Sequence, residues 1–435
     1  MKIPEILMVE TVHQPGSLAR VLQVIAEAGL IIDHLNAVRR ERGRTLWEIT
    51  LEMDEATDRS LYQRIDDLPN ARFMGKSDRV FERHRGGKLR FSASMAINTQ
   101  QVLRDIYTPG VARVCLAIRD DPALAREYTS LDRTVAVVTN GTAVLGLGNI
   151  GALAGLPVME GKAALFAALA GLNAVPILLD ETDPARCVEI ISAIAASFGA
   201  IQLEDIAAPA CFEIEAGLRE RLRKPVLHDD QHGTAVVVLA ALMNATARVG
   251  RDLSACSIGQ VGLGAAGIGI TRLLGRAGVT QLRGSDLDPL AVQRFESMGG
   301  RGASLRELMQ ECDVIVATTG VRALIDPRWV RPGQVILALS NPDAEIDPVQ
   351  ALEAGAAFAA DGKGINNVLG FPGLFKGALE ARAGIFTDSM LLAAAGSIAA
   401  QATHGELVPD PLDPRVHAAV AEAVRRAALA DEDLA

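Results

Sequence analysis

Cysteines are few and far apart in this chain. The five of them show no CxxC spacing, which is typical of reduced, mostly buried thiols and disfavours both a disulfide framework and a zinc site. The N-terminus has no basic-plus-apolar segment, and the longest apolar runs are interrupted well short of the roughly 20 residues that a membrane span needs. We therefore expect a cytoplasmic protein with no membrane partner.

An excess of positive charge is also missing. The chain has 43 Lys and Arg residues against 53 Asp and Glu residues, so its formal net charge is -10. This balance argues against nucleic acid or an anionic membrane surface as a partner. If the substrate is an anion, the site itself must supply local positive charge.

The length and apolar content predict more than one domain. With 435 residues, of which 49% are hydrophobic, the chain exceeds what one core usually holds. Changes of pattern suggest an N-terminal unit at 1–84, a substrate and metal-binding α/β domain at 89–232, and a Rossmann-type domain at 233–390. A C-terminal helical segment at 391–435 completes the predicted organisation.

The N-terminal unit reads as β-α-β-β-α-β, the order of a ferredoxin-like fold. Its segment "TVHQPGSLARVL" combines the end of a strand, a turn and the start of an amphipathic helix. This unit resembles the ACT domain. The resemblance implies a regulatory module that binds a small effector and pairs with another copy; a module used only for dimerisation is the alternative.

From residue 89, apolar strands alternate with helical runs, as in an α/β fold with a mostly parallel sheet. Two of these strands, "AIQLED" and "KPVLHDD", end in acidic residues: Glu204, Asp205, Asp229 and Asp230. Neighbouring strands would bring these like charges together, which is unfavourable unless protons or a cation offset it. Oxygen ligands favour Mg²⁺ or Mn²⁺. The alternative is that the acids cap the helices that follow.

Two further residues are candidates for acid–base chemistry. Tyr107 lies in a turn next to Pro109, ahead of an amphipathic helix, and Lys162 is predicted in the first turn of a helix that a Gly-rich loop opens. The helix dipole and a nearby divalent metal would both lower the pKa of Lys162, as a general base requires. Taken alone, Lys162 also fits a solvated surface charge, and Tyr107 a packed core aromatic.

The third unit begins with a candidate dinucleotide-binding loop. Between a strand and a helix stands a Gly-x-Gly-x-x-Gly pattern formed by Gly262, Gly264 and Gly267. The next strand ends at Asp286, where a carboxylate suits the ribose hydroxyls and favours NAD over NADP. The alternative is a tight structural turn. The ends of the two following strands would place three side chains near the nicotinamide: Thr318, Thr319 and Asn341.

Six motifs then occur in one order: "YTPGVA", "GLPVMEGK", "EDI" with "HDDQHGTA", "GLGAAG", "LSNP" and "NNVLGFPGLFKGAL". Over about residues 90 to 430 the chain thereby resembles the malic enzyme family in its shorter bacterial form. The resemblance implies oxidative decarboxylation of (S)-malate to pyruvate and CO₂ with a nicotinamide cofactor and Mn²⁺ or Mg²⁺. We also expect a homo-oligomer, such as a homodimer. Larger members carry an arginine before "LGLG" for the malate carboxylate; this chain has none there, so that contact is open.

The resemblance also implies roles for single residues. Tyr107 would be the general acid and Lys162 the general base, with Asp229 as the partner of Lys162. The metal ligands would be Glu204, Asp205 and Asp230. The substrate carboxylate and the nicotinamide ribose would be held by Asn341, Asn366 and Asn367. Two other functions stay open: a malolactic enzyme that uses the same site, and a ligand sensor that has lost turnover.

Overall fold

The computed structural model describes residues 3–53, 59–77, 79–144, 146–340, 344–403 and 405–431. These residues form two compact units, Met1–Lys88 and Leu89–Ala435. Each unit has its own sheet or sheets and its own hydrophobic core.

The first unit is a four-stranded antiparallel sheet with helices. Its elements are β1 (Ile3–Val12), α1 (Ser17–Glu27), β2 (Ile32–Glu41), β3 (Arg44–Met53), α2 (Leu61–Asp66), β4 (Ala71–Lys76) and α3 (Arg79–His84). The strand order is β2-β3-β1-β4. Val21 and Ile25, one turn apart on α1, are both fully buried and pack with Leu7 and Ile49 of the sheet. The predicted β-α-β-β-α-β order is confirmed.

The second unit begins with helices and a four-stranded parallel sheet. Its first elements are α4 (Gln100–Ile106), α5 (Val111–Asp120), α6 (Ala125–Tyr128), β5 (Thr134–Thr139), α7 (Ala152–Leu165), β6 (Asn173–Leu178), α8 (Pro184–Ile194), β7 (Ala200–Leu203), α9 (Ala210–Arg221), β8 (Val226–His228) and α10 (Asp229–Arg248). The strand order is β6-β5-β7-β8, all parallel. Every residue of β5 is buried, as expected for a strand covered on both faces.

A six-stranded parallel sheet follows. It is built from β9 (Ser257–Val261), α11 (Ala265–Arg276), β10 (Gln281–Ser285), α12 (Pro289–Ser297), β11 (Arg301–Gly302), α13 (Leu305–Glu311), β12 (Val314–Ala317), β13 (Val335–Ala338), α14 (Pro348–Glu353) and β14 (Phe358–Asp361). The order β11-β10-β9-β12-β13-β14 is that of the Rossmann fold, with the crevice between β9 and β12. The predicted α/β class is confirmed.

Three helices close the chain: α15 (Phe371–Glu380), α16 (Asp388–Gln401) and α17 (Pro414–Ala430). They share one core with α10 and with strands of both parallel sheets. The boundary predicted at residues 232 and 233 falls inside α10, which starts at the end of one sheet and packs on α11 of the next. The division of this unit into smaller domains stays a prediction.

One helical stretch of the described residues, Ala152–Ala170, is long and apolar enough to cross a membrane by length and composition. Core helices of water-soluble proteins meet the same criterion. Met159, Ala163 and Phe166 of this stretch are buried in the core that contains β5. These contacts account for the apolar residues on its buried side, whereas Leu153 and Val158 of the same stretch are exposed.

Candidate active site

The carboxyl ends of β7 and β8 bring the four predicted acids together. The two strands are parallel neighbours. Glu204 and Asp205 follow the last residue of β7, and Asp229 and Asp230 open α10 directly after β8. Helix α10 has no side-chain cap hydrogen bond. The N-cap position is occupied by His228, and the two aspartates fall in the first turn of the helix.

Three of the acids converge on one point. Glu204, Asp205 and Asp230 each offer a carboxylate oxygen, and these three atoms lie within 4.8 Å of one another. Asp205 adopts a left-handed backbone with φ 53°, and its N–H donates to Asp230 Oδ2 at 3.0 Å. The buried Asp205 Oδ2 has no hydrogen-bond partner among the described residues. Such an all-oxygen set with a free acceptor fits a hard divalent cation.

The charges of these acids are mutually unfavourable. Burial, together with the negative charges of Glu204 and Asp230, raises the pKa of Asp205 to about 8. Burial and the charge of Asp229 likewise raise the pKa of Asp230 to about 6. Burial also raises the pKa of Glu204, against the opposing effect of Lys162. A divalent cation would favour the ionised forms of all of them.

Lys162 lies between this acid cluster and Asp229. Its Nζ is 2.7 Å from Asp229 Oδ2 and 2.8 Å from Glu204 Oε1, and it lies 4.3 Å from the ring centre of Phe371. With its side chain only 8% exposed, Lys162 is not a solvated surface charge. Burial alone would lower its pKa, but the two carboxylates outweigh burial and hold the pKa above its ordinary value.

The expected position of Lys162 on its helix was wrong. Helix α7 begins at Ala152, after Gly151, and continues through Pro157, so Lys162 falls in its last turn. The positive end of the helix dipole is therefore at the far end of α7 and does not lower the pKa of this ammonium group. In the structure, the neighbouring carboxylates dominate the electrostatics of Lys162.

Asp229 is fully buried and connects Lys162 to a second predicted residue. Asn367 Nδ2 donates to Asp229 Oδ2 at 2.7 Å, the same oxygen that Lys162 contacts. A Cβ on Gly233 would lie 1.9 Å from Asp229 Oδ1, so only glycine leaves room for this carboxylate. Asn366, by contrast, uses its side-chain oxygen to accept from the backbone N–H of Val368.

Tyr107 lies in a different environment. It joins α4 to α5, neither of which contains a buried residue, and it is 69% exposed. Among the described residues, its hydroxyl makes no hydrogen bond, with Lys162 or with any other group. Tyr107 is therefore not a packed core aromatic, and this single chain does not join it to the Lys162 cluster.

The glycine-rich loop after β9 has the geometry of a dinucleotide-binding turn. Gly262 has φ 88°, and a Cβ on Gly267 would lie 1.9 Å from Gly262 O. Asp286, just after β10, accepts from Leu263 N–H at 2.6 Å and so faces this loop. Backbone N–H groups at the start of α11 suit a pyrophosphate.

The remaining predicted residues of the cofactor region follow β12 and β13. The Thr318 hydroxyl accepts from Gln260 Nε2 at 2.9 Å, and the Thr319 hydroxyl donates to Glu345 at 2.9 Å. Asn341 lies outside the described residues.

Comparisons with known proteins agree with this site. The family model "Malic enzyme, N-terminal domain" matches residues 86–186, and the ACT domain model matches residues 6–70. NAD-dependent malic enzyme 1 of Bacillus subtilis is 49% identical, over 97% of this chain and 97% of that protein. The chain belongs to the malic enzyme family. The NAD-dependent malic enzyme of Geobacillus stearothermophilus is 39% identical, over 96% of this chain and 93% of that protein.

Solved structures of the malic enzyme family resemble this chain as well. The malic enzyme of Pyrococcus horikoshii superposes with a TM-score of 0.77 at 40% identity, covering 82% of this chain and 91% of that one. The NAD-dependent malic enzyme of Thermotoga maritima gives a TM-score of 0.75 at 37% identity, with 80% and 99% coverage.

The structure adds two buried polar residues that the sequence analysis of this malic enzyme family member did not identify. Gln202, inside β7, donates from Nε2 to Glu204 Oε2 at 2.6 Å. Glu215 on α9 contacts the segment that carries Asp229 and Asp230. The sequence could have indicated a role for Gln202, because an amide in a fully buried strand needs a polar partner. No sequence pattern indicated a role for Glu215, because its hydrogen-bond partners lie 13 to 17 residues further along the chain.

Proposed function

We propose that this protein is an NAD-dependent malic enzyme that converts (S)-malate to pyruvate and CO₂. The observation that carries the proposal is the buried cluster in which Lys162 contacts Asp229 and Glu204 beside two further acids. A buried lysine beside a candidate cation site provides a proton acceptor and a Lewis-acid position, the two groups that oxidation of a hydroxy acid followed by decarboxylation requires. The two bacterial relatives that are similar over nearly their whole length bear the name of this activity.

In this proposal Glu204, Asp205 and Asp230 hold Mn²⁺ or Mg²⁺. Their all-oxygen character and the unpartnered Asp205 Oδ2 support it. The cation, when bound, supplies Lewis-acid polarisation of the substrate oxygen and stabilises the negative charge that develops as CO₂ leaves.

Lys162 would accept the proton of the malate hydroxyl, and bound NAD would supply the hydride acceptor for C2. The base must be neutral before this step, whereas Asp229 and Glu204 favour its charged form. If Glu204 binds the metal, its negative charge stabilises the charged form of Lys162 less, so the pKa of Lys162 falls. The hydrogen bond to Asp229 Oδ2 fixes the position of Lys162 Nζ.

Tyr107 donates a proton to C3 after CO₂ has left, which completes pyruvate. Since Tyr107 is exposed in the single chain, we further propose a homo-oligomer whose assembly covers the segment around it. Several apolar side chains in this segment are exposed: Phe91, Met95, Ile97, Leu103, Val111 and Leu116. Exposed apolar patches of this kind commonly mark subunit contacts.

NAD would bind in the crevice at the carboxyl end of the six-stranded sheet. The loop of Gly262, Gly264 and Gly267 would hold its pyrophosphate, and Asp286 would bind the adenosine ribose. Thr318, Thr319 and Asn367 would line the nicotinamide end, and Asn366 would contact the substrate. Asn341, which lies outside the described residues, is proposed for both groups from the family resemblance. The carboxylate of Asp286 would repel a 2′-phosphate, so kcat/KM should be higher with NAD than with NADP.

The ACT unit binds a small effector that changes the malate dependence of the enzyme. Such coupling is typically about 1 to 3 kcal/mol. Deletion of residues 1–85 should leave a folded enzyme with an altered malate response, to be measured by steady-state kinetics and a metabolite screen alongside sedimentation. If no metabolite changes the malate dependence of the full-length enzyme, and the deletion changes only the mass of the assembly, the unit serves assembly alone.

One assay tests the proposed activity. Purified protein is mixed with malate, NAD and Mn²⁺, NADH is followed by absorbance, and the product is identified. We expect NADH and pyruvate in equal amounts. Lactate without net NADH would instead indicate a malolactic enzyme, and no turnover would favour a sensor. The cytoplasmic location stays a prediction.

A further inference from the structure

A buried carboxylate on α9 faces the segment that carries Asp229 and Asp230. Glu215 is in the middle of this helix and only 5% exposed. A buried carboxylate is costly unless its oxygens receive hydrogen bonds, so its partners indicate what it does. Within the described part of the chain, all the hydrogen-bond partners of Glu215 lie between residues 228 and 232.

These partners lie on both sides of the two aspartates. The backbone N–H of His228 donates to Glu215 Oε1 at 3.2 Å. Gln231 Nε2 donates to Glu215 Oε2 at 3.3 Å, and His232 Nε2 lies 3.0 Å from the same oxygen. One side chain therefore holds the strand end before the aspartates and the helix turn after them.

Close packing fixes the same turn from two other directions. A Cβ on Gly269 of α11 would lie 2.2 Å from the carbonyl oxygen of Gln231, and a Cβ on Gly233 would overlap Asp229 Oδ1. The turn therefore has little room to shift toward α11 or along α10. Glu215 supplies the hydrogen bonds on the α9 side, so three helices together determine its position.

We propose that Glu215 is a positioning residue for the active site: by holding residues 228 to 232, it directs Asp229 at Lys162 and Asp230 at Glu204 and Asp205. This inference rests on the proposed function, since it assigns Glu215 to the support of the cation site and of the lysine. Groups that orient metal-binding side chains typically affect metal affinity or activity by roughly 10–100-fold.

The test compares full-length wild-type protein with Glu215→Gln and His232→Leu. Mn²⁺ affinity is measured by electron paramagnetic resonance, and kcat, the KM for malate, the Kd for NAD and thermal unfolding are measured in parallel. Glu215→Gln should raise the Kd for Mn²⁺ and lower kcat, each by roughly tenfold or more, with the Kd for NAD within about twofold. His232→Leu keeps the Glu215 carboxylate, so a smaller change in the same direction would come from the lost contact rather than from lost charge.

Gln334→Met is the matched control. Gln334 is also buried, and its amide donates to the carbonyl oxygens of Met309 and Cys312. It directly precedes β13, so it lies at the amino end of a strand of the six-stranded sheet, whereas the acid cluster lies at the carboxyl ends of β7 and β8. It should lower thermal stability but leave Mn²⁺ affinity unchanged. The positioning role is overturned if Glu215→Gln and His232→Leu bind Mn²⁺ like wild type, or if Gln334→Met weakens Mn²⁺ binding equally. A wild-type protein that binds no Mn²⁺ and oxidises no malate would instead overturn the proposed function itself.

Discussion

The Lys162 cluster and the segment around Tyr107 differ in how complete each is within one chain. Lys162, Asp229 and Glu204 are buried, and Lys162 contacts both carboxylates directly. Tyr107 and both helices beside it are exposed, with no buried residue in either helix. The groups proposed to remove a proton from malate and to bind the cation are thus preorganised by the fold, whereas the proposed proton donor has no comparable contacts among the described residues of one chain.

Of the three substitutions that compare these two regions, Lys162→Ala should lower activity most. Removal of the base is expected to lower kcat for malate oxidation by about 10²–10⁴-fold, the usual contribution of a positioned proton acceptor. Lys224→Ala is the control. Lys224 donates to the carbonyl oxygens of Ala195 and Phe198, near the amino ends of β7 and β8, whereas Lys162 contacts acids at the carboxyl ends of these strands. A variant at Lys162 that oxidises malate at the wild-type rate would remove this residue from the mechanism.

Tyr107→Phe should have a large but selective effect. The overall reaction is expected to slow by about 10²-fold, while reduction of oxaloacetate by NADH, which does not need protonation at C3, should be retained. Tyr128→Phe, at the other exposed tyrosine near this segment, should behave like wild type. Equal loss of every partial reaction in Lys162→Ala and Tyr107→Phe would argue against separate roles for the two residues.

Leu116→Asp should have the smallest effect on the protein and sharpen the comparison most. A charge on the exposed apolar face of α5 is expected to weaken assembly and lower activity by about tenfold, while each chain keeps its Mn²⁺ affinity. Leu412→Asp, at another exposed leucine, is the control. Sedimentation and Mn²⁺ titration measure the two properties; a fully assembled, fully active Leu116→Asp protein would show that this face is not a subunit contact.

The sequence predicted most of the architecture because its signals were local. Strands that end in acids, and a glycine loop between a strand and a helix, each depend on neighbouring residues, and both occur where expected. The helix of Lys162 was misplaced because Gly155 and Pro157 resemble loop residues, although both lie inside α7. Glu215 could not be found, since its role comes from residues on another helix. The exposure of Tyr107 likewise depends on the environment around it, which no local pattern encodes.

Asp230→Asn most directly tests the central claim, that the acid cluster binds a divalent cation needed for turnover, because it replaces one carboxylate of the cluster with an amide. Mn²⁺ titration by electron paramagnetic resonance is combined with malate turnover and NAD binding on the wild-type and variant proteins. We predict that wild type binds one Mn²⁺ per chain, and that Asp230→Asn raises the Kd for Mn²⁺ by roughly 10-fold or more. The variant should also have no malate turnover, and its affinity for NAD should be nearly unchanged. Wild-type turnover by Asp230→Asn at saturating Mn²⁺, with an unchanged Kd for the ion, would contradict the account.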